Sequence, residues 1–510
     1  MPVVSDLAAD LHTLTARLAA FGPADKALHI QSVTPTTTDG GCYQVAFAVA
    51  YGKLTVTYWN GDRSACWRVE RYDVGDDGIR LDVSRRAGAE RGRLIITAGD
   101  VPPPPTTPTL AQWRRRVRNW LMSQLPPRTR LIALPRQRED DAVVGWRAVH
   151  AGTSWLVFTT PDADEVALRR LLGRALSAAD GRHPTACIRL VLPPNGAKRL
   201  SPCLFPLDAP WLELYEAGAD WSAIRPVAVG YQTPLVMQPV RRWVRRLPTP
   251  DELDQLREWF GADLDAHCEV ASVGSETFAV RWYGLECARW CRPSAADRAT
   301  RLPLRFGLTT LGESSRPLTE STRADFQALI AALRRHRTPM ARDATHPLYR
   351  AYPERWLEAV VRRQVNVIDD ALDPAYVQGQ CPHFGRHTVG VADMLTLTRT
   401  GRLAVLELKA DADADVIWQG LTYWLHALHH WRQGDFVRRG YFTGAELDAS
   451  APPQLYLVAP TLRFHPVTRA VARRLRADIP LTLVGVNERW RQALRVVFRE
   501  RFGDVGARRL

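Results

Sequence analysis

The chain has 510 residues, of which 46% are hydrophobic and 24% charged, as in ordinary globular proteins. This length allows roughly two to four domains, and the net charge of +14 favours polyanionic partners, nucleic acid first. No apolar run approaches the roughly 18 residues that a transmembrane helix needs, and acidic residues interrupt the N-terminus where a signal peptide would be apolar. We therefore expect no membrane association and a cytoplasmic location.

Residues 1–105 are predicted to form a mostly β N-terminal domain. Apolar and polar residues alternate between positions 28 and 100, in runs such as CYQVAFAVAYGKLTVTYW, and this alternation is typical of strands with one buried face. The proline-rich segment VPPPPTTPT, 101–109, predicts a boundary after them.

Residues 110–336 are predicted to be a mixed α/β region, and the sequence does not name its fold. Strand-like runs such as SWLVFTT alternate with helical ones such as DEVALRRLLGRALS. Thr249, Pro250 and Glu252 form a capping box with proline at the first helical position, which predicts a helix start. No sequence repeat stands out, and the polar segment 337–347 is predicted to be a linker.

The pattern is clearest in residues 345–510. Helical and strand-like segments follow one another in the order α-β-β-β-α-β-α-β, which predicts a mixed sheet flanked by helices. The predicted fold class of the whole chain is therefore α/β, with an α+β N-terminal part.

One stretch of this region, VGVADMLTLTRTGRLAVLELKADADADVIWQGLTYW at 389–424, places ionisable residues in apolar strands. Gly401 predicts a three-residue hairpin loop, 399–401, with the glycine in the left-handed conformation. Because side chains alternate along a strand, this loop puts Asp393, Glu407 and Lys409 on one face. The predicted register pairs Leu397 with Leu403, Leu395 with Val405, and Asp393 with Glu407.

Two carboxylates paired in this way would stand about 5 Å apart, where like charges destabilise the sheet. One carboxyl could be protonated, an arginine could neutralise both, or a divalent cation such as Mg²⁺ or Mn²⁺ could bridge them. The cation accounts best for Lys409, because only four of the 68 basic residues are lysine. An ammonium group can orient a water or stabilise a phosphate in a space where arginine fits poorly.

Asp393, followed after a hairpin by Glu407-Leu408-Lys409, resembles the motif of the PD-(D/E)XK nuclease superfamily, whose core is a restriction-endonuclease-like α-β-β-β-α-β fold. The resemblance covers roughly residues 345–500. Gln419 and Tyr423 are similar to the Q-x-x-x-Y helix of its RecB-like branch. The chain departs from the motif in having no proline before Asp393.

The resemblance implies a Mg²⁺- or Mn²⁺-dependent nuclease that hydrolyses phosphodiester bonds in nucleic acid, with DNA the first expectation. The metal ligands would be Asp393, Glu407, the Leu408 carbonyl and Glu358, an acid of the preceding helix with Glu354 one turn earlier. Lys409 would act in catalysis beside Asp393, Glu407 and Glu358. Gln419 and Tyr423 would contact the nucleic-acid backbone, and the first 340 residues would recognise a substrate or partner.

Simpler interpretations remain for each residue. Glu358 and Glu354 could be solvated helix charges, Gln419 and Tyr423 could lie at the rim of the core, and His426 is expected at the surface. The ionisable strand residues could form a salt bridge at a sheet edge. The alternative function is a catalytically inactive nuclease-fold protein that acts as a nucleic-acid-binding or scaffold module.

The eight cysteines contain no C-x-x-C pair and are expected to be free thiols. Cys381, His383 and His387 are zinc-ligand types, but their spacing is not a standard one and no fourth ligand is evident. An ordinary polar loop is the favoured interpretation of this segment.

Overall fold

The structure is a computed structural model. It describes residues 7–21, 26–34, 38–50, 53–59, 64–75, 78–85, 90–97, 108–135, 142–180, 187–219, 221, 223–228, 248–274, 277–291, 304–384 and 389–503. The chain divides into two compact units. The first comprises Met1–Met122, Ala217–Arg225 and Gly385–Val389, and the second comprises Ser123–Glu216, Pro226–Phe384 and Gly390–Leu510. Helices and strands occur in both, which confirms the predicted α/β class. Every helix among the described residues is too short or too polar to span a bilayer.

The first unit is built on a closed six-stranded barrel. Its strands follow one another around the barrel, and the first pairs with the last in antiparallel register. Alternate residues face the inside, where Val56, Leu81 and Leu94 are buried with Leu14 of the first helix. The predicted β structure of this region is confirmed. The elements are α1 (Leu7–Ala20), β1 (Lys26–Thr34), β2 (Thr38–Ala50), β3 (Lys53–Trp59), β4 (Ser64–Gly75), β5 (Gly78–Arg85), β6 (Glu90–Thr97) and α2 (Leu110–Gln124).

A six-stranded sheet follows, with its strands in sequence order. The first three described strands pair in antiparallel fashion, and the third, fourth and fifth are parallel, joined by crossover helices. The elements are β7 (Arg130–Ala133), β8 (Val144–His150), β9 (Thr153–Thr159), α3 (Glu165–Asp180), β10 (Cys187–Leu192), α4 (Gly196–Leu204), β11 (Leu212–Ala217) and β12 (Ile224–Val227).

A five-stranded antiparallel sheet and its helices come next. The first helix begins with the predicted capping box, because Thr249 accepts from the Glu252 backbone and Glu252 accepts from the Thr249 backbone. The elements are α5 (Pro250–Phe260), α6 (Asp263–His267), β13 (Cys268–Gly274), β14 (Thr277–Trp282), β15 (Leu285–Cys291), β16 (Leu304–Phe306), β17 (Arg316–Pro317) and α7 (Arg323–His336).

The C-terminal part forms a second six-stranded sheet in sequence order, with the predicted order of helices and strands and one further strand at the end. That last strand, VVFRERF, is an edge strand that the sequence analysis missed. The elements are α8 (Pro347–Arg350), α9 (Pro353–Arg363), α10 (Val365–Ile368), β18 (Gln378–Phe384), β19 (Val389–Leu397), β20 (Leu403–Leu408), α11 (Val416–Arg432), α12 (Asp435–Arg438), β21 (Gln454–Pro460), α13 (Pro466–Ala472), β22 (Leu481–Val486) and β23 (Val496–Phe502).

The central strand β20 is buried on both faces, which fixes the direction of every side chain along it. Leu403 and Val405 share a core cluster with Trp424 of α11, whereas Leu406 shares another with Leu357 of α9. By alternation, Glu407 lies on the α11 face. A Cβ added at Gly420 of α11 would lie 3.7 Å from the Glu407 Cβ, in agreement with that placement.

Arg337, in the segment predicted as a linker, is fully buried. Its guanidinium donates four hydrogen bonds, of 2.7 to 3.1 Å, to backbone carbonyls of Trp282, Tyr283, Leu348 and Ala351. Burial lowers its pKa to about 9. This arginine therefore ties the β14–β15 hairpin to the start of the C-terminal region.

We expect Arg337→Met to lower the free energy of unfolding by about 3 kcal/mol or more, because it leaves several buried carbonyls without donors. Thermal unfolding measures the effect. Arg335→Met is the matched control, since Arg335 is exposed in the last turn of α7, two residues before Arg337. Equal melting temperatures for the two variants would show that the buried hydrogen bonds contribute no net stability.

Candidate active site

The β19–β20 hairpin has the predicted register. Leu397 lies opposite Leu403, and Leu395 lies opposite Val405. Gly401 has φ +82°, and an added Cβ there would clash with the Glu446 carbonyl, so the loop requires glycine. The described pairs run as far as Met394–Leu406, and the same register continued by one position places Asp393 opposite Glu407.

Asp393 and Glu407 lie at the end of these strands. One oxygen of Asp393, Oδ2, accepts a hydrogen bond of 2.9 Å from the Leu408 backbone N–H. Glu407 is buried, and its Oε2 has no hydrogen-bond partner among the described residues. A buried carboxylate oxygen without a donor is costly, so this atom is a candidate ligand for a cation.

The environment opposes ionisation of these carboxyls. Burial, followed by repulsion from Glu358 and Glu354, raises the pKa of Asp393 to about 7, although the Leu408 N–H and Lys409 act the other way. Burial and then the charge of Asp393 raise the pKa of Glu407 well above its ordinary value. An added cation would relieve both the burial cost and the mutual repulsion.

Lys409 lies among carboxylates in the same place. Its Nζ is 3.5 Å from Glu354 Oε1, 3.6 Å from Asp413 Oδ2 and 3.9 Å from Glu407 Oε1, and its side chain is 15% exposed. Burial lowers the pKa of Lys409, but the attraction of these carboxylates outweighs it, and the net shift is upward. The ammonium is therefore charged at neutral pH. The interpretation of these residues as an exposed sheet-edge salt bridge is wrong, because Glu407 is buried.

Glu358 is not a solvated helix charge, because it is buried on α9. Its Oε1 accepts from Arg362 at 2.8 Å, and its Oε2 contacts Arg355 at 3.5 Å. Burial still raises its pKa, despite the two arginines. Glu354 is half-exposed and pairs with Lys409. Of the two helix acids, Glu354 therefore contacts the lysine, and Glu358 is occupied by arginines.

The residues of α11 divide according to burial. Gln419 and Tyr423 are both partly exposed and lie one turn apart on one face. Tyr423 also packs against the core, as the core-rim interpretation requires. His426 is buried rather than exposed, so its assignment to the surface is wrong.

The donor set suits a hard divalent cation only in part. Asp393 and Glu407 supply carboxylate oxygens, one of them without a hydrogen-bond partner among the described residues, and Leu408, whose carbonyl could add a third oxygen, directly follows Glu407. No group of three or more His, Cys, Asp or Glu among the described residues is arranged to hold a metal ion. Two carboxylates thus fit a cation whose remaining ligands are substrate oxygens and water.

The candidate zinc ligands fall outside this description. His387 lies outside the described residues, and the side chains of Cys381 and His383 are not described. Five cysteines are free thiols, as expected: Cys66, Cys187, Cys203, Cys268 and Cys287.

Without metal, Asp393→Asn should stabilise the protein at pH 8. The pKa of Asp393 rises from 3.8 to about 7 on folding, so the native state binds the proton more tightly. Wild-type stability should therefore fall as the pH rises from about 4 to 7, by an upper limit on the order of 4 kcal/mol. Melting temperatures in a chelator measure this. The advantage of the variant should vanish near pH 4; a variant less stable than wild type at pH 8 would indicate a structural salt bridge.

Comparison with known proteins gives weak, partial likenesses. No family model matches the sequence, and no curated protein matches it. Similar solved structures include the YojF protein of Bacillus subtilis, at 13% identity over 19% of this chain and 94% of that chain, with a TM-score of 0.16. A complex of EndoMS with double-stranded DNA matches at 12% identity over 39% of this chain and 91% of that chain, with a TM-score of 0.16. A repair endonuclease from Pyrococcus abyssi matches at 14% identity over 40% of this chain and 92% of that chain, also with a TM-score of 0.16. Likenesses this weak assign neither family nor activity.

Proposed function

We propose that the C-terminal domain is a nuclease that hydrolyses phosphodiester bonds in nucleic acid with the help of Mg²⁺ or Mn²⁺. One observation carries the proposal: two carboxyls with raised pKa values lie beside a charged lysine, and one of them has a buried oxygen with no donor among the described residues. Burying this arrangement is costly unless a cation joins it. The net charge of +14 suits a nucleic-acid substrate.

A divalent cation, when bound, would supply Lewis-acid activation of the scissile phosphate. Asp393, Glu407 and the Leu408 carbonyl would hold it, and the Asp393 carboxylate is already oriented by the Leu408 N–H. Lys409 would position the attacking water or stabilise the charge that develops on the phosphate. Glu354 and Asp413 would fix the direction of the Lys409 ammonium.

The remaining residues would orient the substrate. Gln419 and Tyr423 expose polar groups on one face of α11 and would contact the nucleic-acid backbone. Glu358, held by Arg355 and Arg362, would support the site through its charge rather than as a bare ligand. The region before residue 340 would recognise a substrate or partner.

The proposal is tested with single-stranded and double-stranded DNA and RNA, each incubated with Mg²⁺, Mn²⁺ or a chelator. We expect cleavage of at least one substrate, dependent on the divalent cation. The Asp393→Asn variant serves as the control for contaminating nucleases. Absence of cation-dependent cleavage from every substrate, or equal cleavage by the variant, would contradict the proposal.

The alternative is a nuclease-fold protein that binds nucleic acid without cutting it. The pairing of Lys409 with three carboxylates favours it, because the ammonium partly balances their charge without a metal. The two functions differ in metal binding. Calorimetry should show a cation site that requires Glu407 in the nuclease, and none in the binding module.

A further inference from the structure

Helix α2 carries a run of basic residues that the candidate active site does not use. Its sequence, LAQWRRRVRNWLMSQ, contains four arginines and no acidic residue. One of them, Arg116, is engaged, because its guanidinium donates a hydrogen bond to the Trp221 backbone carbonyl. The other three, Arg114, Arg115 and Arg118, are exposed, and together they are named the arginine face of α2.

The apolar face of the same helix is already covered by the protein. Trp113, Val117 and Leu121 are fully buried, and Trp113 packs edge-on against Trp221 with ring centroids 5.0 Å apart. A basic amphipathic helix that lies in a membrane interface buries its apolar face among the lipids. That mode of binding is closed to α2, so the arginine face is what the helix offers to a partner.

The three residues of the arginine face are neighbours on the helix surface. Arg114 and Arg118 are four residues apart, and Arg115 and Arg118 are three apart, spacings at which side chains of a helix meet. Like charges at these spacings repel each other and destabilise the helix. Because α2 contains no acid, nothing within the helix offsets this repulsion.

The arginine face is also unpaired with the rest of the protein. Within the part of the chain that the structure describes, none of its three side chains makes a hydrogen bond or an ion pair. Three arginines of the barrel in the same unit differ in this respect, because each pairs with a carboxylate. The barrel pairs are Arg68–Glu70, Arg80–Asp73 and Arg93–Asp82, at 2.9 to 3.6 Å.

A phosphate backbone suits the arginine face better than an acidic protein does. Protein interfaces centre on buried aromatic and apolar anchors, and Met122 is the large apolar side chain that α2 leaves exposed. A nucleic-acid backbone needs no such anchor, since its phosphates are bound through charge and through the forked N–H donors of arginine. Clustered guanidiniums without partners thus match a chain of phosphates.

We propose that the arginine face of α2 binds the phosphate backbone of nucleic acid without regard to base sequence. The inference rests on the proposed function in taking nucleic acid as the partner. It extends that function by assigning a holding surface to the N-terminal region. Because phosphate contacts carry no sequence information, binding through this face should depend strongly on salt and little on sequence.

Binding of a fluorescent DNA duplex or single strand to the Asp393→Asn variant tests the inference without cleavage. In this background Arg114, Arg115 and Arg118 are changed together to glutamine, which forms helices about as well as arginine. We expect duplex affinity to fall about tenfold or more at physiological salt. The slope of log affinity against log salt should become shallower by about two to three, because each phosphate contact contributes about 0.9.

The matched control changes Arg68, Arg80 and Arg93 of the barrel to glutamine. It removes the same three positive charges from the same unit, but from side chains that already have carboxylate partners. Its affinity should stay within about threefold, since exposed ion pairs contribute little. Lysine at the three positions of α2 should restore most of the affinity and the steep slope. Equal losses in the two glutamine variants would overturn the inference, because net charge alone would then explain binding.

Two further readings separate this inference from the proposed function. Thermal unfolding of the α2 glutamine variant should be as stable as that of its parent, because the change relieves like-charge repulsion. Binding that depends on the arginine face supports the inference even if no substrate is cut. Cation-dependent cleavage with binding unchanged by the glutamine variant would overturn the inference and leave the nuclease standing. Binding to anionic lipid vesicles but to neither DNA form would also overturn it.

Discussion

Changing Asp393 to alanine should abolish cleavage while leaving the protein folded. Asp393 accepts the Leu408 N–H and lies with Glu407 at the strand end, so its loss removes one of two carboxylates for the cation. Because those carboxylates repel each other without metal, the change should not lower the melting temperature in a chelator. Initial cleavage rates and thermal unfolding measure both effects.

Asp411→Ala is the matched control for this variant. Asp411 is an exposed acid of the loop after β20, and its carboxylate lies 4.0 Å from Arg463. Its removal should leave cleavage unchanged. Cleavage by Asp393→Ala at the wild-type rate would exclude a metal site at this position.

Lys409→Arg should reduce the cleavage rate at least about 100-fold, the order of loss that one misplaced group can cause. A mere counter-ion for Glu354, Asp413 and Glu407 could be arginine, which this chain uses for most of its basic residues. If Lys409 instead positions water, the larger planar guanidinium displaces that water. The rates are compared at saturating Mg²⁺, where metal affinity should change much less.

Lys198→Arg controls for the exchange itself, because Lys198 is exposed outside the candidate site. It should cut at the wild-type rate. If Lys409→Arg did so too, Lys409 would be only a structural counter-ion. The carboxylates would remain candidates, but the water-positioning role would be lost.

The hairpin was predictable because local signals determine it. Gly401 favours a left-handed turn, which fixes the length of the hairpin loop. The alternation of side chains along the strands then fixes the register, which the structure confirms for Leu395 and Leu397. The burial of Glu407 follows from apolar residues on both faces of β20. Local sequence thus located the acidic strand end.

The partners of these residues were not predictable, because they depend on contacts between distant elements. The sequence identifies Glu358 as an acid of the helix before the hairpin, but its pairing with Arg362 depends on the packing of α9. Arg337 lies in a polar stretch, and only the fold shows the carbonyls of distant segments around it. The closure of the barrel through β1 and β6 likewise joins segments far apart in sequence.

The most direct test of the central claim is calorimetric titration of Mn²⁺ into the metal-free protein, beside the Glu407→Gln variant. Glutamine keeps the size of the side chain but removes the ionisable carboxyl, whose buried Oε2 has no donor among the described residues. A cation site at Asp393 and Glu407 predicts saturable binding to wild type, with that site lost or at least tenfold weaker in the variant. Binding of equal strength to both proteins, or none to wild type, would contradict the account.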